Sequence, residues 1–242
     1  MKKFIWFPIL AIIIAGLYGT MYMQHARTVI SSSESFAPTA NIQVRAQNAA
    51  VRVVQTEANN VSVQQTANVK YAVRKSTNTR NTRTIRQGQT HLSLLDHLFS
   101  TTINITVRVP RTYRGTLTVV TTNGAISFNQ LHARTLHART QSGALHGSVS
   151  VKKLTARAES STIGLTATGL QQNSRVQTAS GAVNLQLLDN GIRHVNAKAD
   201  SGEVSLANLP QIKRIDEHHV TSGPAHGTQL TVTTQSGAIH IH

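Results

Sequence analysis

The stretch TQSGALHG, from Thr140 to Gly147, decides the fold because variants of it recur through the second half of the chain. The six copies are TTNGAISF (Thr121–Phe128), TQSGALHG (Thr140–Gly147), AESSTIGL (Ala158–Leu165), TASGAVNL (Thr178–Leu185), ADSGEVSL (Ala199–Leu206) and TQSGAIHI (Thr234–Ile241). Their fourth residues are spaced, by subtraction, at 19, 18, 20, 21 and 35 residues. A period near twenty is typical of solenoids, so the copies predict stacked coils. The last interval has room for one coil plus an insertion, Leu209 to Gly227.

Apolar and polar side chains alternate on both sides of the fourth residue. Leu136 and Ala138 precede one copy, and Val183 and Leu185 close another. This period of two is typical of a strand with one buried face. Each coil is therefore predicted to be a strand, a tight corner and a second strand. Stacking successive coils about 4.8 Å apart would align Leu and Val into ladders, in which each buried aliphatic side chain contributes roughly 1.5 to 3 kcal/mol.

The fourth residue of the phrase is glycine in every copy except the third. We predict that these glycines are structural turn residues, because a tight corner requires either a positive φ or a close approach of another backbone. Ser161 takes this place in the third copy, so either that coil turns differently or the position requires only a small residue. The predicted turn glycines are Gly124, Gly143, Gly181, Gly202 and Gly237.

The N-terminus carries a candidate membrane segment. Residues 1–3 include two lysines, and Phe4 to Met23 follows as twenty residues without a charge. A helix of that length spans the roughly 30 Å hydrocarbon core of a bilayer. The pattern predicts a single-pass signal anchor in the cell membrane, with residues 1–3 in the cytoplasm and the C-terminal domain extracytoplasmic. The alternatives are a cleaved secretory signal, which has a shorter apolar core, and a cytoplasmic domain.

Three further segments separate the anchor from the repeats. Residues 24–40, with their Ser31–Ser33 run, predict a polar stalk. Residues 41–115 alternate as short strands, and the strand Ile103–Val109 is closed by Pro110 because proline cannot donate to a ladder. Residues 75–90 are polar and predict an exposed loop. The Ser-Gly repeat solenoid is then predicted to occupy residues 116–242, which makes the whole chain all-β after one helix.

Composition narrows the classes of function. The chain has no cysteine, which excludes disulfides and cysteine-rich metal sites. Without Lys2 and Lys3, the remaining Lys and Arg exceed the nine acids by about 13, and all 12 histidines lie in the predicted exported part. Such a domain attracts anionic lipid or wall polymer through salt-dependent forces. Nucleic acid is not an expected partner, because it would not meet an exported domain and the sequence has no aromatic stacking platform.

The predicted register places a column of outward residues four positions before the fourth residue of each copy. This column holds Val120, Arg139, Arg157, Gln177, Lys198 and Thr233. Three of its six members are basic, which indicates either a stripe that follows a polyanion or a solvated face of a basic protein. With the basic residues of the 75–90 loop, they make up the candidate anion-binding set: Arg80, Arg83, Arg86, Arg139, Arg157 and Lys198.

Enzymatic, metal and cofactor sites have weak support in the sequence. Glu159 and Asp200 would lie two coils apart, roughly 9 to 10 Å, at or beyond the upper limit for an inverting glycosidase pair. Calcium-binding solenoids need an Asp in every coil, but this chain has nine acids in all. His240 and His242 share a strand face without a third ligand to complete a tetrahedral site. We predict no catalytic residue, no metal and no cofactor.

Several motifs together resemble a known family. They are the Val-x-Val-Pro end of the strand at Pro110, LTVVTTNGAIS from Leu117, the recurrent T-x-S-G-x-[IV]-x-[LI], and QLTVTTQSGAIHI from Gln229. Residues 41–242 resemble the "putative adhesin" β-strand-repeat proteins, which are domains of unknown function. The resemblance implies a β-helix-like solenoid, often membrane-anchored in Gram-positive bacteria and encoded with envelope-stress (Lia-type) proteins, which are the partners it suggests. It implies no catalytic residues.

Together these patterns predict a non-enzymatic scaffold that binds or senses ligands at the bacterial cell envelope. In the first hypothesis, basic residues contact anionic wall polymer or lipid, and histidine protonation in acid strengthens the contact. The alternatives are a cell-surface adhesin for a host or neighbour-cell ligand and a polysaccharide-active β-helix enzyme.

Overall fold

The computed structural model describes residues 14–17, 19, 30–67, 71–72, 76–79, 81–87, 89–90, 103–188, 191–224 and 226–242. The described strands before the repeats are β1 (Ile30–Phe36), β2 (Asn41–Arg45), β3 (Ala50–Thr56), β4 (Val61–Ala67), β5 (Tyr71–Ala72), β6 (Thr77–Thr79), β7 (Thr82–Arg86), β8 (Gln89–Thr90) and β9 (Ile103–Pro110). Those from the repeats onward are β10 (Thr116–Thr121), β11 (Ile126–Thr140), β12 (Leu145–Ala158), β13 (Ile163–Thr168), β14 (Ser174–Ser180), β15 (Val183–Leu188), β16 (His194–Ser201), β17 (Val204–Leu206), β18 (Ile212–Asp216), β19 (His219–Ser222), β20 (Gln229–Ser236) and β21 (Ile239–Ile241).

The described strands stack as coils with two faces. The front ladder runs β7, β2, β10, the C-terminal half of β11, the C-terminal half of β12, β14, β20 and β16, all parallel. The back ladder runs β9, β3, the N-terminal half of β11, the N-terminal half of β12, β13, β15, β21 and β17, also parallel. A coil is one front strand, a corner and one back strand. The predicted β-solenoid is confirmed.

The core lies between the two ladders and is built from residues that the alternation placed inward. On the front face, Leu117, Leu136 and Leu154 lie beside one another in register, each fully buried. On the back face, Ile126, Leu145 and Ile163 do the same. Because identical positions of neighbouring coils pair, every repeat adds a similar layer to one continuous apolar cluster.

The order of the last two coils differs from the prediction of successive stacking. β20 pairs with β14 on one side and with β16 on the other, and β21 lies between β15 and β17 in the same way. The coil formed last in the chain is therefore inserted between the two coils that precede it. One consequence corrects the sequence analysis: Glu159 and Asp200 lie three coils apart instead of two. A second consequence is that His242 follows an interior strand.

The solenoid also begins earlier than residue 116. β2 and β3 form a coil of their own, in which Ile42 pairs with Leu117 and Val51 with Ile126. By this register Ala49 stands where the later coils have glycine. The prediction missed this coil because its corner, AQNAA (Ala46–Ala50), lacks the Ser-Gly pair. The described residues thus make seven coils, which we number 1 (β2–β3) to 7 (β16–β17) in the order of the stack.

Two segments expected to be irregular contain strands. Residues 24–40, predicted as a stalk, include β1, which pairs antiparallel with β4. Residues 75–90, predicted as an exposed loop, include β6 and β7, an antiparallel hairpin whose second strand extends the front ladder beside β2. Both sequences are rich in Ser, Thr and Asn, so they lack apolar alternation. Among the described strands, β1 and β6 are each paired on one side, by backbone hydrogen bonds to β4 and β7 respectively.

The insertion at Leu209 to Gly227 covers one end of the stack. Within it, β18 and β19 form an antiparallel hairpin, and β19 pairs antiparallel with β16, the outermost front strand of coil 7. At the other end the β6–β7 hairpin covers β2. Exposed strand edges attract other chains, and short, charged or polar hairpins are a common protection against this.

The corners use hydroxyl groups as well as glycine. Thr140 Oγ1 donates to the Gly124 carbonyl at 3.3 Å, and Thr178 Oγ1 donates to the Ser161 carbonyl at 3.1 Å. In coil 4 the threonine is replaced by Ala158, and Ser161 Oγ donates to the Gly143 carbonyl at 2.6 Å instead. Ser161 therefore supplies the hydroxyl that its own coil lacks at the threonine position.

The predicted turn glycines are required for two reasons. Gly181, Gly202 and Gly237 have φ of 148°, 121° and 138°, in the region that favours glycine. Gly124 and Gly143 lack this φ, but a Cβ there would lie 1.8 Å from the Ala49 carbonyl oxygen and 2.0 Å from the Gly124 carbonyl oxygen. Both parts of the prediction therefore apply: all five glycines have a close backbone approach, and Gly181, Gly202 and Gly237 also have a positive φ.

The predicted membrane anchor lies mostly outside the described residues. Of Phe4 to Met23, residues 14–17 and 19 are described, and they are helical. In the described part of the chain, no helix has the length and apolar character needed to cross a bilayer. The anchor stays a prediction.

Candidate functional site

The structure brings two of the predicted cations together. Arg139 and Arg157 occupy neighbouring front strands in register, and both are exposed. Lys198 is separated from them, because Gln177 and Thr233 stand in the two coils between Arg157 and Lys198. The predicted column is therefore a basic pair and a distant lysine.

Ion pairs engage two of the predicted cations. Arg139 Nη2 donates to Glu159 Oε1 at 2.8 Å. Arg83 pairs with Glu34 and lies over the Phe36 ring, 4.7 Å from its centroid. Burial raises the pKa of the Glu34 carboxyl, but hydrogen bonds from Ser76 and Arg83 outweigh burial and hold that pKa below its ordinary value. Arg83 thus fixes β7 against β1 instead of facing a ligand.

The other predicted anion-binding residues are dispersed. Arg86 is exposed at the end of β7, where its carbonyl accepts a hydrogen bond from Gln65 Nε2 at 3.3 Å. Arg80 lies outside the described residues. The five candidates that the structure describes therefore do not form one surface.

A different surface concentrates positive charge. The chain crosses from the back ladder of one coil to the front ladder of the next along one side of the stack, and coils 2 to 4 leave a groove of about 480 Å³ there. We call it the basic groove. It is lined by Arg114, His132, Ala133, Arg134, Ser150, Val151, Lys152, Gly169 and Gln171.

Backbone hydrogen bonds place the three permanent cations of the basic groove in successive coils. Arg134 N donates to the Gly115 carbonyl at 3.0 Å, next to Arg114. Arg134 lies beside Lys152, since the flanking pairs are Ala133 with Val151 and Thr135 with Lys153. Neighbouring strands are about 4.8 Å apart. Arg114, Arg134 and Lys152 therefore form a short ladder of like charges along the stack axis.

This ladder has no carboxylate to balance it within the described structure. No Asp or Glu is among the lining residues. Glu34, Glu57 and Glu159 form their ion pairs with arginines elsewhere. Like charges at this spacing repel one another, and an anion between them would relieve the repulsion. The groove is thus suited to a phosphate, sulfate or carboxylate group.

A second groove of about 570 Å³ continues from the first and shares His132 and Ser150 with it. We call it the polar groove. Its only charged residue among those described is Arg111, which pairs with Glu57 at 2.7 Å. It is lined by Gln55, Arg111, Gln130, His132, Ser148, Val149, Ser150, Thr166, Thr168 and Leu188.

The environment of His137 lowers its pKa. Burial lowers the pKa of His137 on the front ladder, and the positive charge of Lys153 lowers it further. His137 therefore resists protonation in mild acid, the opposite of the behaviour expected of an acid-activated charge.

The described residues do not bring together the candidate carboxylate pair, Glu159 and Asp200, or a cluster of metal ligands. Glu159 and Asp200 are three strand spacings apart, about 14 Å, beyond the range of a glycosidase pair. Glu159 is also held by Arg139. Among the described residues, no group of three His, Asp or Glu side chains is arranged to hold a metal ion.

The sequence reasoning missed Arg114, Arg134 and Lys152. These residues are 20 and 18 positions apart, so they follow the same period as the corner phrase. The predicted outward column includes only positions close to the glycine, whereas these cations lie where the chain crosses between coils. Aligning every position of the repeat would have found them.

Comparison with known proteins supports the architecture. The sequence model of the family described as Toastrack DUF4097 matches residues 39–148 and again residues 146–242. One solved structure with the same fold is a "putative cell adhesion protein" from Clostridium sporogenes, with TM-score 0.53 and 11% identity over 88% of this chain and 99% of that chain. A "putative adhesin" from Parabacteroides merdae has TM-score 0.39 and 8% identity over 89% and 97%. A search of curated proteins finds no match.

Proposed function

Since this chain belongs to the Toastrack DUF4097 family, we propose that it is a non-enzymatic binding scaffold of the bacterial cell surface whose basic groove holds an anionic ligand. The observation that carries the proposal is the ladder of Arg114, Arg134 and Lys152 in three successive coils, with no carboxylate among the described residues that line it. Membership of this family supports the general role of a surface scaffold. The cations of the basic groove support an anionic ligand.

The stacked architecture suits this role. Arg134 and Lys152 project from a rigid backbone, because the crossings in β11 and β12 are continuous strands of 15 and 14 residues. Arg114 lies in the turn before β10, where its Nη1 donates to the Arg111 and Tyr113 carbonyls. Charges held by a rigid scaffold lose little freedom when a ligand binds. The three cations follow one another along the stack axis, so they could bind an extended ligand that runs across the coils, such as a linear polyanion.

The predicted signal anchor gives the proposal a location. A helix from Phe4 to Met23 would hold the solenoid outside the cell membrane, where anionic wall polymer and lipid headgroups are the nearest anions. Residues 24–29 would then connect the membrane helix to β1.

The test compares two doubly neutralised variants of the full chain in a nonionic detergent. Arg134→Gln with Lys152→Gln removes two groove cations, and Arg52→Gln with Arg175→Gln removes two exposed cations outside the groove, so both variants lose the same charge. The ligand is inorganic polyphosphate, and isolated cell-wall sacculi serve in a parallel co-sedimentation.

We expect the groove variant to lose about tenfold or more in polyphosphate affinity at low salt, and the control variant less than about threefold. Affinity of the wild type should fall steadily as salt rises. Equal losses in the two variants would show that overall charge, and not the groove, attracts the ligand. No binding of polyphosphate or sacculi by the wild type would overturn the proposal and favour a salt-insensitive adhesin contact.

A further inference from the structure

We propose that the basic groove and the polar groove form one composite site for a phosphorylated carbohydrate, with the phosphate on the cation ladder and the sugar in the polar groove. This inference rests on the proposed function and specifies its ligand. It starts from the fact that His132 and Ser150 line both grooves, so the grooves adjoin at these two residues and a ligand bound there would contact both.

The two grooves differ in chemistry at the point where they meet. On one side stand Arg114, Arg134 and Lys152. On the other side the lining changes to amides and hydroxyls: Gln55, Gln130, Ser148, Thr166 and Thr168. A plain polyanion such as polyphosphate would place charged groups along both parts, but the only cation among the described residues of the polar part is Arg111, which is already paired with Glu57. A ligand with one charged and one hydroxyl-rich end fits both.

The polar groove can bind both kinds of surface that a sugar ring presents. Ser148 and Ser150 are half-buried, and their hydroxyls have no hydrogen-bond partner among the described residues, so they are free to bond with a ligand. Thr166 Oγ1 donates to Gln186 Oε1 at 3.1 Å, which orders the far wall. Leu188 is 44% exposed and offers an apolar contact for the C–H groups of a ring.

Gln130 has an unusual backbone conformation. Its φ is 51°, in the left-handed region, where a side chain other than Asn, Asp or Gly is unusual. It lies in the irregularity of β11 between Phe128 and Leu131, where the register with β12 shifts. Glycine would adopt this backbone without strain. The chain instead keeps an exposed glutamine whose amide lines the polar groove, as a ligand-contacting residue would require.

The size of the site sets the ligand to one or a few sugar units. The two volumes, about 480 and about 570 Å³, are each within the range of pockets for small molecules. A monosaccharide phosphate would occupy the junction, and a longer phosphorylated glycan or polyol chain would extend along both grooves.

The experiment is calorimetric titration of the full chain in a nonionic detergent with three ligands: glucose 6-phosphate, inorganic phosphate and glucose. We expect glucose 6-phosphate to bind about tenfold or more tightly than either of the other two, because only it engages both grooves. Arg134→Gln should weaken glucose 6-phosphate and inorganic phosphate together.

Two variants separate the sugar contact from the phosphate contact. Gln130→Gly and Ser148→Ala should each lower glucose 6-phosphate affinity about threefold to tenfold and leave inorganic phosphate unchanged. The thermal midpoint of Gln130→Gly should be equal to or above that of wild type, since glycine relieves the backbone strain. Weaker binding by this variant would therefore not be a result of unfolding. Ser127→Ala, on the back ladder outside both grooves, is the matched control.

The outcomes distinguish this inference from the proposed function. If glucose 6-phosphate and inorganic phosphate bind equally and Gln130→Gly changes neither, the composite site is wrong and the basic groove remains a plain anion site. If glucose binds as tightly as glucose 6-phosphate and Arg134→Gln has no effect, the site is for neutral sugars and the inference is overturned. If neither these ligands nor polyphosphate bind, the proposed function fails and the inference fails with it.

Discussion

Ala158 and Ser161 show how single residues keep the corners equivalent: coil 4 has its hydroxyl group at the glycine position instead of the threonine position. In the coils with Thr and Gly, the threonine hydroxyl reaches the neighbouring corner carbonyl, and in coil 4 Ser161 reaches the Gly143 carbonyl instead. Ser161→Gly should therefore cost about 0.5 to 1.5 kcal/mol, because the Gly143 carbonyl loses its side-chain donor. Adding Ala158→Thr to that variant should restore most of the loss. Urea unfolding of both single variants and the double variant gives the coupling free energy, and simple additivity would show that the two hydroxyl groups do not substitute for each other.

Gly181 combines both constraints that the corners impose. Its φ is 148°, and a Cβ would lie 2.3 Å from the Ser161 carbonyl oxygen. Gly181→Val should cost about 3 kcal/mol or more in unfolding free energy, since neither the backbone conformation nor the neighbouring carbonyl tolerates a branched side chain.

Gly164 provides the control for Gly181→Val. A Cβ there meets nothing within 4 Å, and the residue lies in β13, where glycine is less favourable than alanine. Gly164→Ala should be neutral or stabilise by about 0.5 kcal/mol. A similar loss from both substitutions would show that glycine is not specifically required at the corner.

His137 gives the fold a pH dependence whose sign follows from its environment. Burial, and then Lys153, lower its pKa below the ordinary value of 6.5, so the unfolded chain binds a proton at a higher pH than the folded chain. The contribution of His137 to stability is therefore present above pH 6.5 and is lost as the pH falls through its lowered folded value.

His137→Gln should reduce the loss of stability that occurs as the pH falls from 7 to below the pKa of His137 in the folded chain. Urea unfolding at several pH values measures it, and an NMR titration of the imidazole reports the pKa directly. In Lys153→Gln the pKa should rise only partly, because burial is the larger cause. A titration of His137 at or above 6.5 in the wild type would contradict this account.

At the scale of elements, the coil formed by β20 and β21 lies inside the stack and not at its end. β20 and β21 have paired strands on both sides, and Leu187 N donates to the His242 carbonyl at 2.8 Å. Their amides should therefore exchange with solvent among the slowest in the chain, which hydrogen–deuterium exchange with mass spectrometry can measure. Exchange as fast as in β18, an exposed edge strand, would instead support stacking in the order of the sequence.

The apolar alternation predicted each coil correctly, but it could not predict their order. Leu230 of the last copy can pair with Val195 or Ser174 through the same backbone pattern, and the structure uses both. Because the copies are interchangeable in register, only the length and direction of the connecting segments fix the sequence of coils. The hairpin of β18 and β19 doubles the chain back and leaves room for coil 6. Periodicity contains no information about this.

The polar edge strands also could not be predicted from the sequence. β1 and β6 read ISSSESF and TNT, without the inward apolar residues by which a strand is recognised. They form because neighbouring strands offer unpaired backbone groups, which is a property of the assembled stack and not of the segment itself. The sequence therefore predicts the central coils better than the ends.

At the scale of the whole molecule, net charge predicted the kind of ligand but not where it binds. The excess of positive charge is spread over the chain, and individual arginines serve different purposes: Arg83 and Arg139 hold carboxylates, whereas Arg134 faces a groove. Which arginine is available to a ligand depends on where nine acids fall after folding. The periodic spacing of Arg114, Arg134 and Lys152 was present in the sequence, yet only the crossing geometry shows that it forms a surface.

The capped ends predict how the molecule behaves in solution. β19 occupies the outer edge of β16, and β18 outside it carries Lys213, Arg214 and Asp216 on an exposed strand. Replacing residues 208–227 by a four-residue Gly-Ser linker would remove this cover while leaving coils 6 and 7 able to pair. The outer edge of coil 7 would then present free backbone donors and acceptors, which favour pairing with another copy.

We expect this variant to keep its β-rich circular dichroism spectrum and to self-associate as its concentration rises, with the wild-type chain under the same conditions as reference. Sedimentation velocity measures the association. A second variant with Lys213→Gln and Arg214→Gln keeps the hairpin, and it should associate less than the linker variant because β16 remains paired. If the linker variant is folded and no more associated than wild type, the hairpin does not protect the end of the stack.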